Sequence, residues 1–132
     1  MAQKLTLVVV TPERTVVETE ADEVQLPGEL GYLGILPGHT TLITLLKTGV
    51  LSYKDAGTEK FFALSSGFAE IANDRVTVLA DSAEDAREID ANAAEQDRAR
   101  AEEALKTANR ETMEQIRGEL ELAQARLAVA GR

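Results

Sequence analysis

Two periodicities divide the chain. From Lys4 to Leu79 the apolar residues fall into short runs with strand-like alternation, and beyond Asp85 they recur at every third or fourth position. The first part reads as strands over Lys4 to Val10, Thr15 to Val17, Glu23 to Leu26, Thr41 to Leu46, Val50 to Tyr53, Lys60 to Leu64, Phe68 to Ala72 and Arg75 to Leu79. In the first of these, Leu5, Leu7 and Val9 share one face. Turn formers separate the runs: Thr11-Pro12-Glu13-Arg14, Pro27-Gly28, Lys54-Asp55-Ala56-Gly57, Ser65-Ser66-Gly67 and Asn73-Asp74. Short strands at intervals of about 8–12 residues, joined by hairpin-length turns, predict an antiparallel sandwich or barrel with sequential strands adjacent in space.

The second part is rich in Ala, Glu, Arg and Leu and has no proline. Asp90-Ala91-Asn92 offers an N-cap for a helix reaching about Ala108, Asn109-Arg110 reads as a break, and a second helix runs from about Glu111 to Val129 before Gly131. Met113, Ile116, Leu120, Ala123 and Leu127 form one stripe, and Ala94, Ala101, Leu105 and Ala108 answer it from the first helix. Small residues facing larger ones across a short loop predict an antiparallel helical hairpin. Its seam is mostly alanine, and Gly118 costs about 1 kcal/mol relative to Ala, so the hairpin must lean on the sandwich or on a partner. The reading is α+β, with an antiparallel β-sandwich domain over residues 1–84 and an antiparallel two-helix hairpin over residues 85–132.

Composition removes most chemistry. Without cysteine there are no disulfides, thiolate metal sites or cysteine nucleophiles, and one histidine cannot build a His-rich metal site. No Gly-x-Ser-x-Gly elbow and no phosphate-binding loop is present, and paired acids such as Asp22-Glu23 or Glu102-Glu103 read as solvated faces. The net charge of −9 disfavours nucleic acid and suits protein partners. No apolar run is long enough to span a bilayer, and the start lacks the pattern of a secretory signal, so a cytoplasmic protein is expected. In the helical half eight basic residues stand against eleven acidic ones. Arg98, Arg100, Arg117 and Arg126 belong either to salt-bridged faces or to contacts with an acidic partner after the hairpin opens. The outstanding segment is Gly31-Tyr32-Leu33-Gly34-Ile35-Leu36-Pro37-Gly38-His39, where large apolar side chains are held between glycines and a proline in a chain with only 4% aromatic residues. Such a segment is either a turn folded onto the core or a contact surface for another protein.

The run Gly34-Ile35-Leu36-Pro37-Gly38-His39, the stretch from Phe62 to Ile71, Val76-Thr77-Val78-Leu79-Ala80-Asp81, the Ile89-Asp90 start and the helical hairpin occur in an order that resembles the ε subunits of F-type ATP synthases over the whole chain. The resemblance implies a ten-stranded β-sandwich with two C-terminal helices. It implies a non-catalytic rotor subunit of the central stalk, bound to γ and seated on the c-subunit ring at the cytoplasmic face of the bacterial cell membrane. It also implies a hairpin that in many bacteria extends toward the catalytic α and β subunits and hinders hydrolysis. Gly31 to His39 would then meet γ and the c ring, and Arg98, Arg117 and Arg126 would serve the inhibitory contacts. Two positions depart from the pattern. Tyr32 stands where many relatives have Glu. The nucleotide motif of some members is represented by Ile89, Asp90, Ala94 and Arg100, but its arginine is replaced by Ala93, so ATP binding is expected to be weak or absent and no cofactor is expected. Two other readings are a ligand-binding sandwich with a dimerising hairpin, for which few aromatic residues are available, and a small hydrolase, which lacks its nucleophile and base.

Overall fold

The computed structural model describes residues 3–132. Ten strands come first: β1 (Leu5–Val10), β2 (Thr15–Ala21), β3 (Glu23–Gly28), β4 (Gly31–Ile35), β5 (Leu42–Leu46), β6 (Gly49–Asp55), β7 (Thr58–Leu64), β8 (Gly67–Ala72), β9 (Arg75–Ala80) and β10 (Ala83–Glu84). A 3-10 turn, Ala86–Glu88, leads into α1 (Ala91–Leu105) and α2 (Arg110–Ala130). The fold is the expected β-sandwich followed by two helices.

The hydrogen-bonded order is β10-β7-β6-β3-β5-β8-β9-β1-β2, with β4 added to β3. The path bends at β3, whose only pairing with β5 is Gly28 opposite Leu46. That corner needs glycine, because a Cβ on Gly28 would lie 2.6 Å from the carbonyl oxygen of Gly31. Two layers result, one built from β10, β7, β6, β3 and β4, the other from β5, β8, β9, β1 and β2. Leu5, Leu7, Val9, Val24, Leu26, Ile35, Leu51, Leu64, Ile71, Val76 and Val78 are fully buried in the shared core. Each comes from the inward positions of its strand, so the period of two read from the sequence is the period that fills the core.

Two features differ from the sequence reading. Gly31 to Ile35 is a strand, not part of a loop. Glu29-Leu30 forms a two-residue turn, and β4 then pairs with β3 from Gly28↔Gly31 to Val24↔Ile35. Its two glycines mask the strand pattern, and only the long-range presence of β3 supplies the register. The second feature is that β1 lies parallel to β9, Leu7 beside Val76 and Val9 beside Val78, while every other pairing among the described residues is antiparallel. The β1–β2 hairpin docks as a unit on the edge of β9, a contact between opposite ends of the strand region.

The helices lie close to their expected limits. The Asp90 carboxylate caps α1 by accepting the Ala93 N–H at 3.1 Å. Beyond Leu105 the bonds tighten to three-residue turns at Lys106, Thr107 and Ala108, which ends α1 before the predicted Ala108. Asn109 caps α2, accepting from the N–H groups of Glu111 and Thr112 at 3.0 Å each. α1 packs chiefly on α2, and α2 packs on β7 and β6. The hairpin is folded against the sandwich, with Ala125 and Val129 of α2 on Ala63 of β7 and Val50, Phe61, Ala86 and Ile89 around them.

Candidate functional site

Both layers expose an outer face, and the two faces have different fates. On the β6–β7 side α2 covers the apolar residues. On the β5–β8–β9 side nothing among the described residues does. Leu45 lies opposite Phe68, and Phe68 opposite Leu79, so three large side chains form a rung across three strands. Val10 of β1 continues that rung beside Leu79, and Ile43 stands two residues from Leu45 on the same face of β5. Ile43 is 67% exposed, Leu45 60%, Phe68 43% and Leu79 38%. Contiguous apolar surface of this kind marks a protein contact. A signal for it was present in the sequence: Leu42, Ile43, Leu45 and Leu46 surround Thr44, which makes β5 apolar on both faces. None of the candidate site residues read from the sequence lies on this face.

The segment from Gly31 to His39 crosses the sandwich instead of clustering at one end. At the β3–β4 tip Leu30 is fully exposed, and the Glu29 N–H donates to the carbonyl of Leu45 at 3.0 Å. Tyr32, 59% exposed, lies near that tip, and its hydroxyl accepts the Val50 N–H at 3.2 Å. Leu33 is half-buried on the core, Gly34 is open to solvent, and Ile35 is fully buried. The chain then turns at the opposite end of the layer. Leu36 is exposed, Pro37 half-buried, and the His39 N–H donates to the Leu36 carbonyl at 3.1 Å. Gly38, at φ +90°, donates its N–H to Oδ1 of Asp74 at 2.7 Å, beside the β8–β9 turn. The half-buried His39 donates from Nδ1 to the carbonyl of Thr40 at 2.7 Å. From Tyr32 to Gly38 the backbone spans up to about 20 Å. The motif thus supplies two separate surfaces and, through Leu33 and Ile35, part of the core.

The hairpin residues singled out in the sequence also separate. Ile89 packs with Ala63 and Val129, Asp90 is occupied in capping α1, and Arg100 lies about 15 Å further along the helix. Arg100 itself donates to Asp97 at 3.0 Å. Arg98 bonds Glu95 and Glu102, whose hydrogen bonds raise its pKa further above the ordinary range. Arg117 is 3.8 Å from Glu114. Arg126 faces the sandwich and donates from Nε to Glu84 of β10 at 2.7 Å.

Elsewhere, Lys4 bridges Asp22 and Asp55 and ties the start of β1 to two turns. The Ala56 N–H bonded to Asp22 holds that carboxyl below its usual range, with Lys4 assisting. Hydrogen bonding to Asp55 raises the Lys4 ammonium despite partial desolvation. Among the described residues no three His, Cys, Asp or Glu side chains are placed to hold a metal, and no helix is long and apolar enough to cross a membrane.

A sandwich carrying an apolar sheet face that stays uncovered among the described residues, with a helical hairpin attached, has the make-up of an interaction subunit. Residues 4–86 match the family model for the β-sandwich domain of the ATP synthase delta/epsilon chain. The ATP synthase epsilon chain of Geotalea daltonii is 46% identical over 134 aligned residues, covering 100% of this chain and 97% of that one. The epsilon chain of Koribacter versatilis is 47% identical over 111 residues, covering 84% and 78%. The chain therefore belongs to the ATP synthase epsilon-chain family, non-catalytic subunits of that complex. The fold also superimposes on a chain in the Euglena gracilis mitochondrial ATP synthase OSCP/F1/c-ring assembly, with a TM-score of 0.84 at 19% identity over 98% of this chain and 82% of that one. A chain of the Tetrahymena thermophila mitochondrial central stalk and c-ring assembly aligns with a TM-score of 0.55 over 65% and 69%.

Proposed function

We propose that this chain is a rotor subunit of the central stalk, coupling rotation of a proton-driven c ring to ATP synthesis on the catalytic head at the cytoplasmic face of the membrane. The observation that carries the reading is the uncovered Leu45–Phe68–Leu79 rung with Ile43 beside it. A rotor must hold its neighbour under torque, and an apolar sheet face offers area without dependence on salt. In this reading γ covers the rung, and the β3–β4 tip with Leu30 and Tyr32 meets the c ring. Leu36 and the Gly38–His39 turn extend the contact with γ.

Residues 1–84 form the coupling unit in this proposal and residues 85–132 the mobile one. Contacts with α and β arise only when the hairpin extends, and then Arg98, Arg117 and Arg126 exchange their internal carboxylates for those of the head. The separation of Ile89, Asp90 and Arg100, together with alanine at position 93, supports weak or absent ATP binding.

Gel filtration with a purified catalytic head containing γ tests the assignment. The chain should co-elute stoichiometrically, and Leu45→Lys with Phe68→Ser should weaken binding by about 100-fold while leaving the fold intact. Failure of the folded parent chain to bind would overturn the proposal.

A further inference from the structure

The edge of β7 carries a groove that the rotor reading leaves unused. Asp55 and Thr58 close the two-residue turn Ala56-Gly57, with both turn residues at positive φ, so they form a hydrogen-bonded pair. Alternate β7 residues Thr58, Lys60, Phe62 and Leu64 therefore direct their backbone groups to β6, and Glu59, Phe61 and Ala63 direct theirs away from it. On that outer side Ala63 pairs with Glu84, and the Ser65 N–H donates to the Ser82 carbonyl at 3.0 Å. β10 stops at Glu84 and the chain leaves as a 3-10 turn, so among the described residues Glu59 and Phe61 have no strand beside them. Across the opening runs β2, which pairs only with β1.

Between these two edges lies a cavity of about 730 Å³. Val16, Val17, Tyr53 and Phe62 give it an apolar floor, with the Tyr53 and Phe62 rings stacked at 6.2 Å between centroids. Partial burial, with the Asp55 charge assisting, raises the pKa of the Tyr53 hydroxyl. At the rim Arg14 is paired with Glu88, and Arg87 with Asp85 at 3.0 Å. Lys60, Arg132 and the carboxylate Glu59 also line it and form no ion pair among the described residues. The Arg132 guanidinium sits 4.4 Å above the Phe61 ring.

We infer that this groove docks an extended segment of a partner protein, which adds as a strand to the Glu59–Phe61 edge. Unpaired backbone donors and acceptors provide the main-chain ladder, and alternation of side chains provides the selectivity. Residues of one parity turn inward over Val17, Tyr53 and Phe62 and must be apolar. A carboxylate on the segment finds Lys60 or Arg132, the two cations lining the groove that form no ion pair among the described residues. The Glu59–Phe61 edge belongs to the other layer from the Leu45–Phe68–Leu79 rung, and no groove residue is part of that rung, so the inference stands independently of the rotor assignment.

The test is a nitrogen-15 NMR titration of the full chain with an acetylated, amidated Glu-Val-Glu-Val-Glu peptide. Saturable shifts centred on Val17, Glu59, Phe61 and Arg132 are expected. Lys60→Gln with Arg132→Gln should weaken binding about tenfold. Glu59→Pro should abolish it, because the ring removes an outward N–H and leaves the pairing with β6 in place. No saturable shift at millimolar peptide, shifts confined to Ile43, Leu45 and Phe68, or equal binding of a Lys-Val-Lys-Val-Lys peptide would overturn the inference. So would concentration-dependent shifts at this edge without peptide, which would mean that a second copy fills it.

Discussion

Arg126 on α2 donates from Nε to Oε1 of Glu84 on β10 at 2.7 Å, joining residues 42 positions apart across the boundary between hairpin and sandwich. Both side chains are less than a third exposed, at 29% and 25%, and the pair sits beside Ala125 and Val129 on Ala63. Among the described residues, that ion pair, the apolar contact of Ala125 and Val129 with Ala63, Val50, Phe61, Ala86 and Ile89, and the stack of Arg132 on Phe61 just beyond α2 join the hairpin to the sandwich. The attachment of the hairpin to the sandwich therefore has a specific place.

Arg126→Ala should destabilise that attachment by about 1 kcal/mol, the upper range for a partly exposed pair. Hydrogen exchange in α1 and α2 should quicken roughly fivefold, with exchange in β8 and β9 unchanged. Equal acceleration in both regions would show that hairpin and sandwich open together.

Gly67 is the least replaceable glycine. A Cβ there would lie 1.9 Å from the Leu79 carbonyl oxygen, and backbone cannot yield as a side-chain tip can. Gly67→Ala should lower unfolding stability by about 3 kcal/mol in a urea titration. Gly34→Ala, which meets nothing within 4 Å, should stay within about 1 kcal/mol of the parent.

The Lys4–Asp22–Asp55 cluster gives a pH signature with a definite sign. The Asp22 carboxyl is held below its ordinary 3.8, so its contribution is complete above that value and is lost as pH falls through the folded pKa. The Lys4 ammonium is raised above 10.5, so its contribution is complete below that value and disappears as pH climbs through the folded pKa. Melting temperatures of the parent and Asp22→Asn should differ at pH 7 and converge as pH falls through the depressed pKa of Asp22. A difference that persists after Asp22 is protonated would rule out carboxylate ionisation as its cause.

Tyr32→Phe removes the hydroxyl that accepts from Val50 and retains the ring. Stability should fall by about 0.5–1 kcal/mol, because the exposed Val50 N–H can turn to water. Thermal unfolding of the two chains measures the difference. Binding to a c-ring preparation, if the ring contact is apolar, should change less than twofold.

By itself the sequence determined the kinds of element and their order. Alternation from Leu5 to Val9 and from Val76 to Val78, and the three-and-four spacing from Met113 to Leu127, are local facts. They report which side of an element can be buried. The Gly31 to His39 segment also stood out on composition alone. Only the tertiary structure decided what that segment is, since β4 becomes a strand because β3 lies beside it, and its tips reach opposite ends of the layer. The same holds for the interaction surface. Leu42, Ile43, Leu45 and Leu46 make β5 apolar on both sides, and Phe61, Ala63 and Val50 put apolar groups on the outer face of the other layer. Nothing local distinguishes these two outer faces. The chain covers one with Ala125 and Val129 of its own α2 and leaves the other bare, because burial depends on which distant segment arrives, and a residue's own neighbours in sequence do not carry that information.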